Sequence, residues 1–227
     1  MNAVRTFVRE CSLSLVFLLA FLLTVVGQAY AGWCSFNNEQ VADQLGRITL
    51  LQYLASAQFA TDVTENWQSE YLQFFFYILA TVWLLQKGSP ESKELDKAGR
   101  ESDEDQKVGQ YAGKRSPAWA KASGRRRSLY SSSLLLVMGT IFVMSWAVQS
   151  VAGSIAFDEE RLRNLQEPIG WASYVMNADF WSRTLQNWQS EFLAVGSMAV
   201  LSIYLRQRGS PESKPVGSPH ESTGVEG

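Results

Sequence analysis

Two glutamates occupy the same position in a pentapeptide that the chain carries twice, Asn66-Trp67-Gln68-Ser69-Glu70 and Asn187-Trp188-Gln189-Ser190-Glu191. In a helix, each glutamate shares a face with the asparagine one turn before it. Each motif runs straight into an apolar stretch, and a carboxylate there needs a partner. Two chemistries suit that pattern. One is a layer of side-chain hydrogen bonds that fixes helix register. The other is a proton or cation site built on Glu70 and Glu191. A second hexapeptide is also written twice, Gly88-Ser89-Pro90-Glu91-Ser92-Lys93 and Gly209-Ser210-Pro211-Glu212-Ser213-Lys214. Glycine followed by Ser-Pro reads as a helix exit, with Gly88 and Gly209 as C-caps. The spacing does not match a phosphate-binding loop.

Other reactive residue types are sparse. His220 is the sole histidine and lies in a polar tail. Cys11 and Cys34 flank an apolar block of helical length, about 35 Å apart along a helix, so they cannot pair within one chain. No metal-ligand spacing occurs, so neither a metal nor a cofactor is expected. A nucleophile with its base is missing from the apolar blocks, which points away from an enzyme.

The elements that position these motifs follow from the repeat. Pairing residues 12–93 with 133–214 at a constant offset of 121 gives 28 identities in 82 positions without a gap. A period that long is an internal duplication. Four apolar blocks stand out: Leu13 to Ala31, Tyr71 to Leu85, Leu134 to Ala152 and Phe192 to Leu205. The first and third are long enough for a bilayer core of roughly 30 Å. The second and fourth reach that length only by extending outward through the Asn-Trp-Gln-Ser-Glu motif.

The expected fold is therefore all-α, a polytopic membrane protein of four transmembrane helices arranged as two duplicated hairpins. Repeat 1 covers residues 1–93, with membrane helices at about 13–33 and 65–86. Repeat 2 covers 129–214, with helices at about 133–153 and 186–206. Residues 94–128 read as a flexible cytoplasmic linker and 215–227 as a disordered cytoplasmic tail, since neither has apolar surface to offset ordering entropy. Two crossings per copy make the repeat parallel rather than inverted.

An N-terminal block preceded by Arg5 and Arg9 and ending in Ala29-Tyr30-Ala31 also resembles a cleaved signal peptide. Its duplicate lies in the middle of the chain, so both blocks are read as retained helices.

Charge gives the orientation. Sixteen of the twenty Lys and Arg residues fall in the N-terminus, the centre and the C-terminus, which places both termini and the centre in the cytoplasm. The net charge of −2 carries no signal for nucleic acid. The outer segments hold Ile48, Leu51, Leu54 and Phe59, and Ile169, Trp171, Tyr174, Val175 and Phe180, near helical spacing. They read as short amphipathic helices on the outer leaflet, with an aromatic belt for anchoring.

On this scheme Gln28, Glu70, Gln149 and Glu191 lie fifteen residues from Leu13, Leu85, Leu134 and Arg206 at the cytoplasmic ends of their helices. All four share one depth, about 22 Å above the inner boundary. With Asn66 and Asn187 one turn further out, they form a candidate intramembrane polar layer. Below it the blocks are almost wholly apolar, which argues against a water-filled pore. Gly88, Ser89, Pro90, Glu91, Gly209, Ser210, Pro211 and Glu212 form a candidate cytoplasmic interface motif, either a stop signal or a contact for a lipid headgroup or partner.

The Asn-Trp-Gln-Ser-Glu motif, the short apolar helix after it and the run from Gln207 to Val216 together resemble an uncharacterised family of bacterial four-helix membrane proteins, a domain of unknown function. The similarity covers essentially the whole chain, including Ser12-Leu13-Ser14-Leu15 and Gly27-Gln28-Ala29. It implies a bacterial inner-membrane location and carries no reaction, ligand or partner. The expected partners are the lipid bilayer and a second copy or another membrane protein. The expected role is structural or one of interaction in the envelope, with a small transporter or proton-coupled component using Glu70 and Glu191 as the alternative.

Overall fold

Long apolar runs free of proline set the architecture, because without proline the i→i−4 hydrogen bonds of a helix can run unbroken. The computed structural model describes residues 2–225. Eight α-helices and one short 3-10 turn account for the regular structure, and no strand occurs among the described residues. The helices are α1 (Asn2–Glu10), α2 (Ser12–Ala42), α3 (Leu50–Leu54), α4 (Ala57–Trp83), α5 (Arg125–Ser131), α6 (Ser133–Arg163), α7 (Gly170–Tyr174) and α8 (Ala178–Tyr204). Two of them, α2 and α6, are long and apolar enough to cross a membrane. Helices α4 and α8 each begin with polar turns that carry Asp or Glu.

The chain forms two compact units, Met1–Val63 with Gln149–Tyr174, and Thr64–Val148 with Val175–Gly227. Helices α2 and α6 each run 31 residues, about twelve more than the apolar blocks they contain, and both end in the first unit. Both then stop in the same way. Gln44 and Leu165 adopt left-handed φ values of 60° and 58°, and the next residues close back on the helix through Leu45 N–H to Gln40 O at 2.7 Å and Gln166 N–H to Arg161 O at 2.8 Å. That is a Schellman closure made without glycine.

Beyond each stop, a helix side chain ties down the returning loop. Asn37 accepts from Ile48 N–H at 2.8 Å and donates to Ile48 O at 3.0 Å, while Asp158 accepts from Ile169 N–H at 2.8 Å. The short helices α3 and α7 then bury Tyr53 and Tyr174, each 2 % exposed. Tyr53 packs on Phe36 at 5.6 Å and Tyr174 on Phe157 at 5.3 Å between ring centroids. Each tyrosine hydroxyl fills the space where Gly32 or Gly153 would carry a Cβ. The amphipathic segments expected there are thus one-turn helices anchored by a single tyrosine each.

In the second unit the helices end earlier than expected. Glycine 88 and glycine 209 do not cap α4 and α8, which stop at Trp83 and Tyr204. The cause is local: Ser92 and Ser213 hydroxyls capture the N–H groups of Gln86 and Gln207, both at 2.9 Å. The backbone therefore leaves the helix extended, as at Leu205 with ψ 155°. The glycines form the turn that follows, with φ of 86° and 83°.

Candidate functional site

Both copies of the Asn-Trp-Gln-Ser-Glu motif lie in the second unit, on α4 and α8, with Gln68 and Ser69 buried. The helices are joined through them. Trp188 donates its indole N–H to the side-chain oxygen of Gln68 at 2.7 Å. The Ser69 hydroxyl donates to Glu191 at 3.3 Å, and the Asn187 amide donates to Glu65 at 3.0 Å. Arg183 approaches Glu65 at 3.7 Å and pairs with Asp179 at 3.2 Å. Phe76 meets Phe192 edge-on at 5.5 Å one turn below.

Trp188 also belongs to an aromatic cluster. Its ring lies 5.5 Å from Trp146 and 6.3 Å from Phe142, and Trp146 stacks on Phe180 at 6.2 Å. Offset and tilted ring pairs of this kind add to the area they bury. The Trp146 indole nitrogen, the Gln68 amide nitrogen and the Thr184 hydroxyl are buried without a hydrogen-bond partner.

The residues of the expected polar layer are distributed as follows. Glu70 and Glu191 lie within electrostatic range of each other; Glu191 is half-buried and Glu70 exposed. Asn187 reaches Glu65, and Asn66 is exposed. Gln28 and Gln149 belong to the first unit. There Gln28 is half-buried, while Gln149 is buried with neither amide atom bonded. Sequence reasoning passed over Glu65, Gln68, Ser69 and Trp188 as the groups that form the bonds. Glu65 has Gln186 as its counterpart, so identity between copies could not mark it.

The hexapeptides form a second cluster in the same unit, and their bonds match one for one. Ser89 N–H donates to Gln86 O at 3.1 Å and Ser210 N–H to Gln207 O at 3.2 Å. Ser89 and Ser210 hydroxyls accept from Glu91 and Glu212 N–H, both at 3.3 Å. Lys93 donates to Gly99 O at 2.9 Å, and Lys214 donates to His220 O at 2.8 Å. Glu91 additionally accepts from the Tyr77 hydroxyl.

The two lysines differ in what surrounds them. Lys93 pairs with Glu101 at 3.0 Å. Lys214, 1 % exposed, reaches three further carbonyls: Gly88 at 2.6 Å, Ser222 at 3.1 Å and Pro219 at 3.3 Å. Burial and then the nearby Arg206 push its ammonium below the usual lysine pKa. The four carbonyl dipoles act in the opposite sense. The C-terminal segment is fastened further by Gly224 N–H to Ser89 O at 3.1 Å and Gly88 N–H to Thr223 at 2.9 Å. His220 accompanies it, with Nδ1 3.0 Å from Ile203 O and its ring on Tyr204 at 5.4 Å. Residues 226 and 227 of the expected tail lie outside the described residues.

This arrangement offers hydrogen bonding, carboxylate titration and ammonium capture. Among the described residues, no group of three or more His, Cys, Asp and Glu could hold a metal ion. A family model matches residues 4–225, nearly the whole chain. The chain belongs to the family described as Domain of unknown function (DUF6766). No curated protein and no solved structure matches it. Both motifs and the short helices α3 and α7 fall inside the matched span.

Proposed function

We propose that this protein is a non-enzymatic, four-span integral membrane protein of the bacterial inner membrane, with a structural or interaction role in the envelope. On this reading it is built from two helical hairpins repeated in parallel, with both termini and the central segment in the cytoplasm. Support for the repeat comes from residue pairs 121 apart that make equivalent bonds, such as Asn37 and Asp158 to Ile48 and Ile169, and Ser92 and Ser213 to Gln86 and Gln207. Support for immersion comes from α2, where Leu13, Val16, Phe17, Leu23 and Val26 are all more than 60 % exposed. A helix that is apolar all round and uncovered matches a lipid surround rather than water.

The observation that carries the structural role is the set of bonds between α4 and α8. The polar side chains of the paired motifs meet across the two helices through Gln68 with Trp188 and Ser69 with Glu191. Such bonds contribute about 0.6 kcal/mol each in a membrane and fix register. The second reading, a proton-coupled component, draws on the proximity of Glu70 to Glu191.

Glu70→Gln and Glu191→Gln in the full chain, reconstituted in vesicles, separate the two. The structural role predicts intact folding and no change in proton flux across the vesicle wall. A flux present with the natural carboxylates and abolished by either change would establish the proton-coupled reading instead.

A further inference from the structure

The N-terminal helix α1 has a use that neither the helix pairing nor the turns require. Its apolar side chains Val4, Phe7 and Val8 lie at i, i+3 and i+4, on one face. They are 70, 57 and 50 % exposed. Arg5 and Arg9, one turn apart and exposed, flank that face. An amphipathic helix with arginines beside its apolar face is built to lie at the headgroup boundary, its aliphatic stems buried and its guanidiniums at phosphate level.

The junction with α2 points the same way. Cys11 leaves helical geometry, at φ −110° and ψ 15°. Ser132, the equivalent residue before α6, has φ −118° and ψ 12°. It follows the short helix α5, in which Arg125, Arg126 and Leu129 are exposed. Each apolar span is thus preceded by a short basic helix and a one-residue break in helical geometry. A break at that point lets the preceding helix leave the axis of the span.

We propose that α1 is an in-plane anchor that binds the anionic phospholipids of the cytoplasmic leaflet. Charge complementarity and continuity with α2 identify the occupant: the arginines call for phosphate oxygens, and the apolar face adjoins a segment already uncovered on all sides. This inference rests on the four-span reading.

The test uses the full chain with Cys11 and Cys34 replaced by Ser and a single spin label at position 4 or position 6, in nanodiscs of zwitterionic lipid with or without one quarter phosphatidylglycerol. With the anionic lipid, a label at position 4 should be reached by oxygen and shielded from an aqueous nickel chelate, and a label at position 6 should show the reverse. Arg5→Gln with Arg9→Gln should shift the balance toward the water-exposed state roughly thirtyfold, two charges at about 1 kcal/mol each. That shift should vanish in purely zwitterionic discs. A position 4 label shielded from both reagents would mean a protein partner covers α1 and would overturn the proposal. So would a label open to water in both lipids, or one indifferent to lipid charge. Recovery of the protein in the soluble fraction after alkaline washing would instead defeat the four-span reading itself.

Discussion

The indole N–H of Trp188 meets the side-chain oxygen of Gln68 at 2.7 Å, joining the third residue of one pentapeptide to the second residue of the other. The equivalent residues Trp67 and Gln189 are both exposed, whereas Gln68 is buried. The strength of the bond between Trp188 and Gln68 can be measured directly. A double-mutant cycle with Trp188→Phe and Gln68→Leu, followed by reversible unfolding in detergent, should give a coupling of about 0.6 kcal/mol, within the range found between membrane helices. A coupling indistinguishable from zero would remove the bond from the account.

The connections through α3 and α7 depend on two glycines. A Cβ at Gly153 would stand 2.6 Å from the Tyr174 hydroxyl, and one at Gly32 would overlap the Tyr53 hydroxyl. Gly32→Ala and Gly153→Ala should each destabilise by about 1 to 3 kcal/mol, the usual range for overpacking. Adding Tyr53→Phe or Tyr174→Phe should restore part of the loss, because the overlapping oxygen is removed. Thermal unfolding of the four variants would decide this, and equal stability of Gly32→Ala and the natural chain would contradict the packing.

Part of the architecture around α3 and α7 was legible in sequence. The offset of 121 pairs Tyr53 with Tyr174 and Gly32 with Gly153, but identity between copies does not show that each tyrosine packs on its glycine. What closes α2 and α6 was not legible, because Gln44 and Leu165 share no chemistry and neither residue type favours the left-handed region. Helical spacing in 48–59 showed an amphipathic element, while Thr49 and Gln52 set its start through a reciprocal cap. After α4 and α8 the helix ends fall before Gly-Ser-Pro, where the Ser92 and Ser213 hydroxyls capture N–H groups six residues earlier in the chain. The surroundings of Lys214 could not be foreseen, since its four acceptors are backbone carbonyls and carry no sequence signature.

Lys214 should hold the C-terminal segment in place. Lys214→Met keeps the stem and removes the donors, leaving four carbonyls without their ammonium. Hydrogen bonds to a charged group contribute about 1.5 to 3 kcal/mol net, so the segment should open one to two orders of magnitude more often. Cleavage at Glu221 by a glutamate-specific protease should accelerate accordingly, whereas Lys93→Met should leave it unchanged. Equal rates for Lys214→Met and the natural chain would show that the ammonium is not what fastens the tail.

Burial raises the pKa of Tyr53, with Asp62 and Glu39 adding repulsion against the tyrosinate. An acid held protonated by the folded state stabilises it below the unfolded pKa, and that stability is lost as pH rises through the folded value. The region around α3 should therefore weaken above about pH 10, the ordinary tyrosine value. Tyr53→Phe should flatten that decline, and ultraviolet titration should show one fewer late-ionising tyrosine in the variant. A Tyr53 that ionises with the exposed tyrosines would contradict its enclosure by Phe36 and Phe59.

The central claim is the four-span arrangement with a cytoplasmic centre. Single cysteines at positions 47, 94, 167 and 225, in a chain otherwise free of cysteine, can be probed in intact cells with a membrane-impermeant maleimide before and after lysis. The account predicts labelling of positions 47 and 167 in intact cells, and of 94 and 225 only after lysis. Labelling of 94 or 225 in intact cells would contradict it.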